Sequence, residues 1–276
     1  MSTMRDTSNM TVRKLREMFS GDDVPSPAER ALLEADPRAG VRRIASVLKK
    51  RTARRECERS RIAALLAHEK SLWERGVSYI AGVDEVGVGP FAGPVVAAAV
   101  VFPRGVFLEG IRDSKELSHE RRVHLDGAIR REALSVGIGL VDAGEIDRIN
   151  IYRATLEAMR LAILDLKMKI QHVLVDARTI PGIGIPQEAI AGGDGMIFSI
   201  AAASIVAKVY RDNLMLLYDT QYPRYGFARH KGYGTAEHIH ALRAHGPCDI
   251  HRRSFDWRSS TGARTDVKLE TPNSKP

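Results

Sequence analysis

The sequence has few cysteines and no long apolar segment, and each absence excludes a class of protein. Among its 276 residues there are two cysteines, Cys57 and Cys248, without CxxC spacing or a neighbouring histidine pair. Two isolated cysteines argue against a disulfide framework and for a reducing cellular compartment. Apolar runs such as residues 95–102 are far below the ~20 residues that a membrane span needs. The N-terminus lacks the pattern of a secretory signal, so we predict a cytoplasmic protein without a membrane partner.

The excess of positive charge is confined to one short segment. The chain has 42 Lys and Arg against 34 Asp and Glu, a formal net charge of +8. Residues 41–75 carry 11 basic and 4 acidic groups, a net +7, whereas residues 76–257 carry 21 of each. A basic protein invites a nucleic-acid interpretation. This distribution restricts that interpretation to the segment, because the longer remainder is neutral.

The basic segment, residues 41–75, has the composition of a helix. It contains no Pro or Gly, is rich in Ala, Leu, Arg, Lys and Glu, and repeats apolar residues at three- and four-residue steps. Residues 49–55 (KKRTARR) form either a solvated helix face or a phosphate-contacting one. Residues 1–40 have the Pro and Asp breakers of short helices joined by turns. We predict a helical extension over 1–75, a main domain over 76–257 and a flexible tail over 258–276.

The pattern changes at residue 76, where short apolar stretches bounded by Gly and Pro begin. These stretches predict strands, and they lie at residues 78–84, 93–102, 134–141, 172–176 and 189–191. Helical spacing is present over residues 145–168, 196–218 and 236–245. Strands first, followed by strands and helices in alternation, predict an α/β protein with a mixed sheet flanked by helices.

Isolated carboxylates stand at the ends of apolar segments in this domain. Asp84 and Glu85 end one predicted strand, Asp176 ends another, and Asp194 precedes a predicted helix. A buried carboxylate is costly unless it is neutralised, and Mg²⁺ or Mn²⁺ neutralises it through oxygen ligands. Taken singly, each aspartate is better explained as a turn initiator or a helix N-cap. Gathered by the fold, the four would form a site for two cations that act at phosphorus.

The amino-acid sequence of this domain resembles that of the ribonuclease HII family. Residues 81–96 (AGVDEVGVGPFAGPVV) are similar to the opening of its catalytic domain. Further family motifs follow in order: DSK at 113–115, VLVD at 173–176, SIAAASIVAKVYRD at 199–212, YGFARHKGY at 225–233 and HRRSF at 251–255. Several long motifs in one order are far more specific than a single short pattern.

The resemblance implies an RNase H-like fold and a metal-dependent endonuclease. Such an enzyme cuts the RNA strand of RNA/DNA hybrids and cuts 5′ to single ribonucleotides in duplex DNA, leaving 5′-phosphate and 3′-hydroxyl ends. The family's metal-binding, catalytic acids match Asp84, Glu85, Asp176 and Asp194, with two Mg²⁺ or Mn²⁺ ions. The positions by which the family recognises the ribose match Gly87, Val88, Gly89 and Tyr233, although Tyr233 without its motif would be explained as a half-buried loop aromatic. Candidate phosphate contacts are Lys115, Ser204 and Lys208, of which Lys208 is equally explained as an exposed helix lysine. Tyr233 would pack on the sugar and approach the 2′-OH, the group that distinguishes RNA from DNA. We expect a monomer.

Two positions depart from the family pattern. Val88 stands where the family has Arg in its glycine loop, and Gly192 where it has Lys. Both changes remove positive charge near the phosphate to be cut. They leave two alternatives open: a nucleic-acid-binding protein with weakened catalysis, or the specificity of ribonuclease HIII, which also lacks Arg in this loop. The four acids favour an enzyme, and the helical extension and Pro90 favour the HII type.

Overall fold

The computed structural model describes residues 10–21 and 25–259, and these residues form two compact units that divide between Ala63 and Ala64. The strands are β1 (Ile80–Val86), β2 (Val95–Val101), β3 (Ser135–Val141), β4 (His172–Asp176) and β5 (Gln187–Ile190). The helices are α1 (Val12–Met18), α2 (Pro27–Ala35), α3 (Ala39–Leu65), α4 (Ala67–Glu74), α5 (His119–Glu132), α6 (Ala143–Ile149), α7 (Ile151–Leu164), α8 (Gly193–Met196), α9 (Phe198–Gln221), α10 (Phe227–His230) and α11 (Ala236–His245). The predicted domain boundary at residue 75 stays a prediction.

The first unit is helical, and its turns carry strong start signals. Helix α2 begins with a capping box: Ser26 accepts from the backbone of Glu29, whose side chain accepts from the Ser26 N–H. This exchange satisfies two backbone donors that a helix start leaves open. Apolar residues from three helices and the turn after α1 then form the core of the unit: Leu15, Phe19, Leu33, Val41, Ile44, Ala45 and Leu48.

The second unit is built on a five-stranded mixed sheet in the order β3-β2-β1-β4-β5. The first three strands pair antiparallel, and β1, β4 and β5 pair parallel. Helix α7 packs on one face, where its side chains join those of β1, β2 and β4 in the main core. Helix α9 packs on the other face. The predicted α/β class with a mixed sheet flanked by helices is therefore confirmed.

Two glycines bring the helices unusually close to the sheet. A Cβ on Gly82 of β1 would overlap the backbone of Ser199 in α9. A Cβ on Gly139 of β3 would overlap the carbonyl of Ala158 in α7. Side chains at these positions would push the helices away from the sheet. Helix α9 is thus held directly against β1, the strand that carries Asp84 and Glu85.

The predicted elements differ from the structure in a few places. The helix predicted over 145–168 is two helices, α6 and α7, because Asn150 has a left-handed φ of +71° and caps α7 by accepting from the Arg153 N–H. Helix α5 was not predicted, since half of its residues are charged and few are apolar. Most of the predicted tail, 260–276, lies outside the described residues. Among the described residues, no helix combines the length and apolarity needed to cross a membrane.

Candidate active site

Three of the four predicted acids lie together at the carboxyl ends of the inner strands β1 and β4. Strands β1 and β4 are parallel neighbours with Val83 opposite Val175, so the next residues, Asp84 and Asp176, are in line. Oxygen atoms of Asp84, Glu85 and Asp176 all lie within 4.8 Å of one another. Adjacent strand residues normally point to opposite faces. Asp84 and Glu85 can nevertheless approach each other because β1 ends at Val86, one residue after Glu85. We call these three residues the acidic group.

Within the acidic group Asp84 is buried, Glu85 and Asp176 are half-buried, and the hydrogen bonding is incomplete. Asp84 is 6% exposed and accepts from the Glu85 backbone N–H at 2.8 Å. Asp176 accepts from the Gly193 N–H, also at 2.8 Å. Glu85 Oε1 lies 3.5 Å from Arg178 Nε, but its other oxygen, Oε2, is buried without a hydrogen-bond partner. A buried polar atom without a partner is uncommon and indicates a site for a ligand or an ion.

Burial and like charge raise the pKa of every member of the acidic group. Desolvation raises the pKa of Asp84 well above its usual value, and the charges of Glu85 and Asp176 raise it further. Desolvation also raises the pKa of Glu85 to about 7, against the opposing effect of Arg178. The pKa of Asp176 is also raised, mainly by desolvation. Without a cation, the group therefore retains protons that isolated carboxyls lose.

The fourth predicted acid, Asp194, is close by but outside the acidic group. It lies in the first turn of α8, and its Oδ2 accepts from Lys115 Nζ at 2.9 Å. Its charge still raises the pKa values of Asp84 and Asp176. Lys115 is partly desolvated, but its hydrogen bond to Asp194 raises its pKa. The lysine partly neutralises an edge of the sheet that is otherwise crowded with negative charge.

The chemistry of the acidic group fits a hard divalent cation. All of its donors are carboxylate oxygens, which Mg²⁺ and Mn²⁺ prefer. The Glu85 Oε2 atom is unpartnered, and the three side chains are close enough to share one ion. A divalent charge would also remove the mutual repulsion that now raises their pKa values.

The predicted glycine loop follows β1 directly. Gly87 has a φ of +90°, and a Cβ there would overlap the Arg211 side chain and crowd the Pro94 carbonyl, so the position requires glycine. The side chain of Val88 is half-buried and packs against the main core. Open space surrounds the Cβ position of Gly89. The loop therefore offers mainly backbone groups to a ligand.

Two buried arginines hold this loop and the segment that follows it, and sequence reasoning did not identify them. Arg252, 1% exposed, donates to the carbonyls of Gly87 at 2.5 Å, Val88 at 2.8 Å and Gly93 at 3.0 Å. Arg211, fully buried, donates to three more carbonyls, those of Ala92, Pro94 and Lys231. Desolvation lowers the pKa of Arg252 to about 9 and lowers that of Arg211 as well.

The remaining predicted substrate contacts differ in their exposure. Tyr233 is 38% exposed, and the guanidinium carbon of Arg211 lies 5.8 Å from its ring centroid. Ser204 is buried, donates to the Ala201 carbonyl and accepts from the Ser114 N–H. Lys208 donates to Asp212 at 2.7 Å, and burial lowers its pKa. Tyr233 is thus the most accessible of the three, and Ser204 is already engaged in the fold.

Arg178 is a further residue near the site that the sequence did not reveal. It follows Ala177, whose φ of +53° is a left-handed conformation that costs a non-glycine residue roughly 1–2 kcal/mol. This reversal brings Arg178 beside Glu85. In the sequence Arg178 stands two residues after Asp176. This spacing does not place its side chain beside Glu85 unless the left-handed conformation of Ala177 is known.

Sequence comparisons connect both parts of the chain to one family. The model of the ribonuclease HII family matches residues 81–257, and that of the ribonuclease HII N-terminal domain matches residues 11–73. Ribonuclease HII of Caldanaerobacter subterraneus subsp. tengcongensis is 54% identical over 200 residues, covering 72% of this chain and 83% of that protein. Ribonuclease HII of Myxococcus xanthus is 51% identical over 224 residues, covering 81% and 76%.

Solved structures extend the likeness to the fold. Ribonuclease H2 from Pyrococcus horikoshii OT3 matches with a TM-score of 0.55 and 26% identity, over 65% of this chain and 94% of that one. The RNase HII in the PCNA:RNase HII complex from Archaeoglobus fulgidus matches with a TM-score of 0.54 and 25% identity, over 66% and 98%. The predicted RNase H-like fold is confirmed.

Proposed function

Because the chain belongs to the ribonuclease HII family, and is therefore a ribonuclease H nuclease, we propose that it cuts the RNA strand of RNA/DNA hybrids and cuts 5′ to single ribonucleotides in duplex DNA. The observation that carries this proposal is the acidic group, with three carboxylates within 4.8 Å and one oxygen unpartnered. The cytoplasmic location and the monomeric state remain predictions.

In this proposal Asp84, Glu85 and Asp176 hold divalent cations, Mg²⁺ or Mn²⁺, and Asp194 completes the set. Held there, the cations would supply Lewis-acid chemistry for activating the attacking water and stabilising the leaving 3′ oxygen, which would give 5′-phosphate and 3′-hydroxyl ends. The chain itself orients the ligands. The Gly193 N–H fixes one oxygen of Asp176, and Arg178 holds Glu85 from the side. Lys115 partners Asp194 and would offer positive charge to the substrate phosphate.

Recognition of the ribose belongs to the glycine loop and Tyr233. The backbone of Gly87 and Gly89 would approach the 2′-OH, since no Cβ obstructs it. The ring of Tyr233 would pack on the neighbouring sugar with its hydroxyl near the 2′-OH. Lys208 and Ser204 remain candidates for phosphate contact, although both side chains already have partners within the fold.

The helical extension, residues 1–75, is proposed to add affinity through phosphate contacts. Arg43, Lys50 and Arg54 are exposed and recur on one face of α3 at seven- and four-residue steps. Replacing all three with Ala in the full chain should flatten the dependence of log K on log[salt] by about 0.9 per lost contact. An unchanged slope would leave this face as a solvated one. The matched control is Lys49→Ala, which removes a lysine that already faces Glu34 at 3.4 Å.

A cleavage assay tests the proposed function. A duplex with one ribonucleotide and a uniform RNA/DNA hybrid are each incubated with the protein and Mg²⁺ or Mn²⁺, with and without EDTA. We expect a cut 5′ to the ribonucleotide that EDTA abolishes and Asp84→Asn eliminates. Cleavage of the hybrid alone would indicate HIII-like specificity. Binding without any cleavage would support the weakened-enzyme alternative that Val88 and Gly192 raise.

A further inference from the structure

Three histidines are buried together behind Tyr233, and the reaction proposed above uses none of them. His230, His238 and His251 are each less than 8% exposed and lie around the ring of Phe227. The rings of His230 and His238 stack with their centroids 4.4 Å apart. We call these three residues the histidine cluster. In the described residues it is not among the groups that could hold a metal.

The hydrogen bonds of the histidine cluster fix the proton on each ring. His238 Nδ1 lies 3.0 Å from the Tyr233 carbonyl, which only accepts, so Nδ1 carries the hydrogen. Neutral His238 then presents a bare Nε2, to which His251 Nε2–H donates across 3.0 Å. His251 Nδ1 is bare in turn and accepts from the Cys248 N–H at 2.9 Å. A single direction of donation runs from Cys248 through both rings to Tyr233.

The same cluster grips the backbone on the other side of Tyr233. His230 donates through Nε2 to the Tyr225 carbonyl at 2.7 Å, which leaves Nδ1 to accept from the Gly232 N–H at 3.2 Å. The Gly232 carbonyl accepts from the Phe91 N–H, and the Tyr233 N–H donates to the His230 carbonyl, both at 2.9 Å. Every backbone polar group of Gly232 and Tyr233 is therefore bound, while the tyrosine ring remains exposed.

We infer that the histidine cluster is a positioning device for Tyr233: neutral His238 and His230 clamp the Gly232–Tyr233 backbone so that the exposed ring is held ready for the ribose. The inference rests on the proposed role of Tyr233 as a sugar contact. The rings act through hydrogen bonds to the backbone, and they neither touch substrate nor transfer protons.

The electrostatics of the cluster agree with this assignment. A second proton on His238 would set two N–H donors against each other across the 3.0 Å contact with His251. Desolvation and the neighbouring histidines lower the pKa of His238 to about 3, and desolvation lowers that of His251 to about 4. The groups that face the cluster from adjoining elements are Glu237, Arg229, Asp219 and Cys248. His238 and His251 are therefore neutral near pH 7, and desolvation lowers the pKa of His230 in the same direction.

Amide hydrogen exchange in the full-length protein tests the positioning directly. His238→Leu removes the donor to Tyr233, whereas His238→Asn keeps an N–H near the place of Nδ1. Because the Tyr233 carbonyl also accepts from the Thr235 N–H at 2.8 Å, we expect Leu to speed exchange at Gly232 and Tyr233 about fivefold, the effect of one lost hydrogen bond. Asn should change it less than about twofold. The exposed His240 on the same helix, changed to Leu, is the matched control. Unchanged exchange in His238→Leu overturns the inference.

Should His238→Leu fail to fold, His251→Leu makes the same comparison one bond further away. Its conservative partner is His251→Gln, which keeps a donor near the position of Nε2. Slower or equal exchange in His251→Leu relative to His251→Gln would again overturn the inference.

A double-mutant cycle links the clamp to the reaction. On a single-ribonucleotide duplex we expect His238→Leu to raise KM about fivefold with kcat within about twofold. In a Tyr233→Ala background it should have no further effect, because the clamp acts through that residue. Effects that multiply would overturn the inference. If Tyr233→Ala alone leaves KM and substrate preference unchanged, the proposed role of Tyr233 is overturned, and the exchange data still decide whether the cluster positions it.

Discussion

The acidic group and the histidine cluster both place titratable side chains where water has little access, yet they differ in how completely those side chains are hydrogen-bonded. In the histidine cluster every ring nitrogen has a partner and the rings are neutral. In the acidic group three carboxyls crowd within 4.8 Å and Glu85 Oε2 has no hydrogen-bond partner. Saturated hydrogen bonding makes a rigid scaffold. The acidic group is incompletely hydrogen-bonded, so a ligand from outside the chain can supply the missing interaction.

The largest expected effect comes from breaking the incomplete set. Asp84→Asn should lower the cleavage rate by more than the roughly 10- to 100-fold that follows loss of an outer-shell partner of a metal. The same change should stabilise the metal-free protein by about 1 kcal/mol, or roughly 2–4 °C in melting temperature, because it removes a desolvated carboxyl from beside two others. Single-turnover cleavage and thermal melting measure the two effects.

The control for this loss is Asp126→Asn, which removes a carboxylate that pairs with Arg130 on the surface of α5. It should leave the cleavage rate unchanged. A lower melting temperature for metal-free Asp84→Asn than for the parent would contradict the view that the crowded carboxyls destabilise the metal-free protein.

Breaking a saturated contact should instead cost stability. Arg252→Met leaves the carbonyls of Gly87, Val88 and Gly93 without their donor. At about 1–3 kcal/mol for each unsatisfied acceptor, and with some relief from no longer burying a charge, we expect a loss of roughly 3 kcal/mol. Urea unfolding measures it. Arg253→Met, at the exposed neighbouring position, is the control, and equal losses in the two variants would contradict this account.

The pH dependence of stability should separate the two regions, because their slopes have opposite signs. Glu85 has a folded pKa of about 7, above its usual value, so its contribution to metal-free stability is full below about pH 4.5 and lost as the pH rises through 7. His238 and His251 have folded pKa values of about 3 and 4, below their usual 6.5, so their contribution is present above pH 6.5 and lost as the pH falls.

Urea unfolding between pH 4 and 8 checks these signs, with a slope of about 1.4 kcal/mol per pH unit for each proton that differs between the folded and unfolded states. Glu85→Gln should remove the falling limb above pH 4.5 that Glu85 contributes. His251→Gln should weaken the loss on acidification below pH 6.5. If both variants keep the parent profile, the two regions do not govern the pH dependence.

The smallest expected effect comes from restoring charge beside the acidic group. Val88→Arg should tighten binding to a single-ribonucleotide duplex by up to about fivefold, the value of a partly exposed charge contact. Val88→Gln adds similar length without charge and is the matched control. Unchanged affinity together with unchanged preference between duplex and hybrid would exclude a role for the missing arginine.

Local patterns predicted the sheet, because short apolar stretches bounded by Gly and Pro indicate strands. The set of four acids came from the family resemblance, since a single carboxylate at a strand end is equally a turn initiator. Strand β4 and helix α11 have the predicted bounds. Helix α5 was missed because half of its residues are charged and only Leu125, Ala128 and Ile129 are buried. Nothing local distinguishes Arg252 from Arg253, yet one is buried under three carbonyls and the other is exposed. Such roles depend on contacts between segments more than 150 residues apart.

The close seating of α9 against Gly82 has a thermodynamic consequence for cation binding. Helix α9 lies directly against the strand that carries Asp84 and Glu85, and desolvation and like charge raise the pKa of both carboxyls, which favours their protonated forms. Each cation that enters must displace those protons into the solvent. The measured enthalpy of Mg²⁺ or Mn²⁺ binding should therefore vary with the ionisation enthalpy of the buffer, and the slope of that variation counts the protons released.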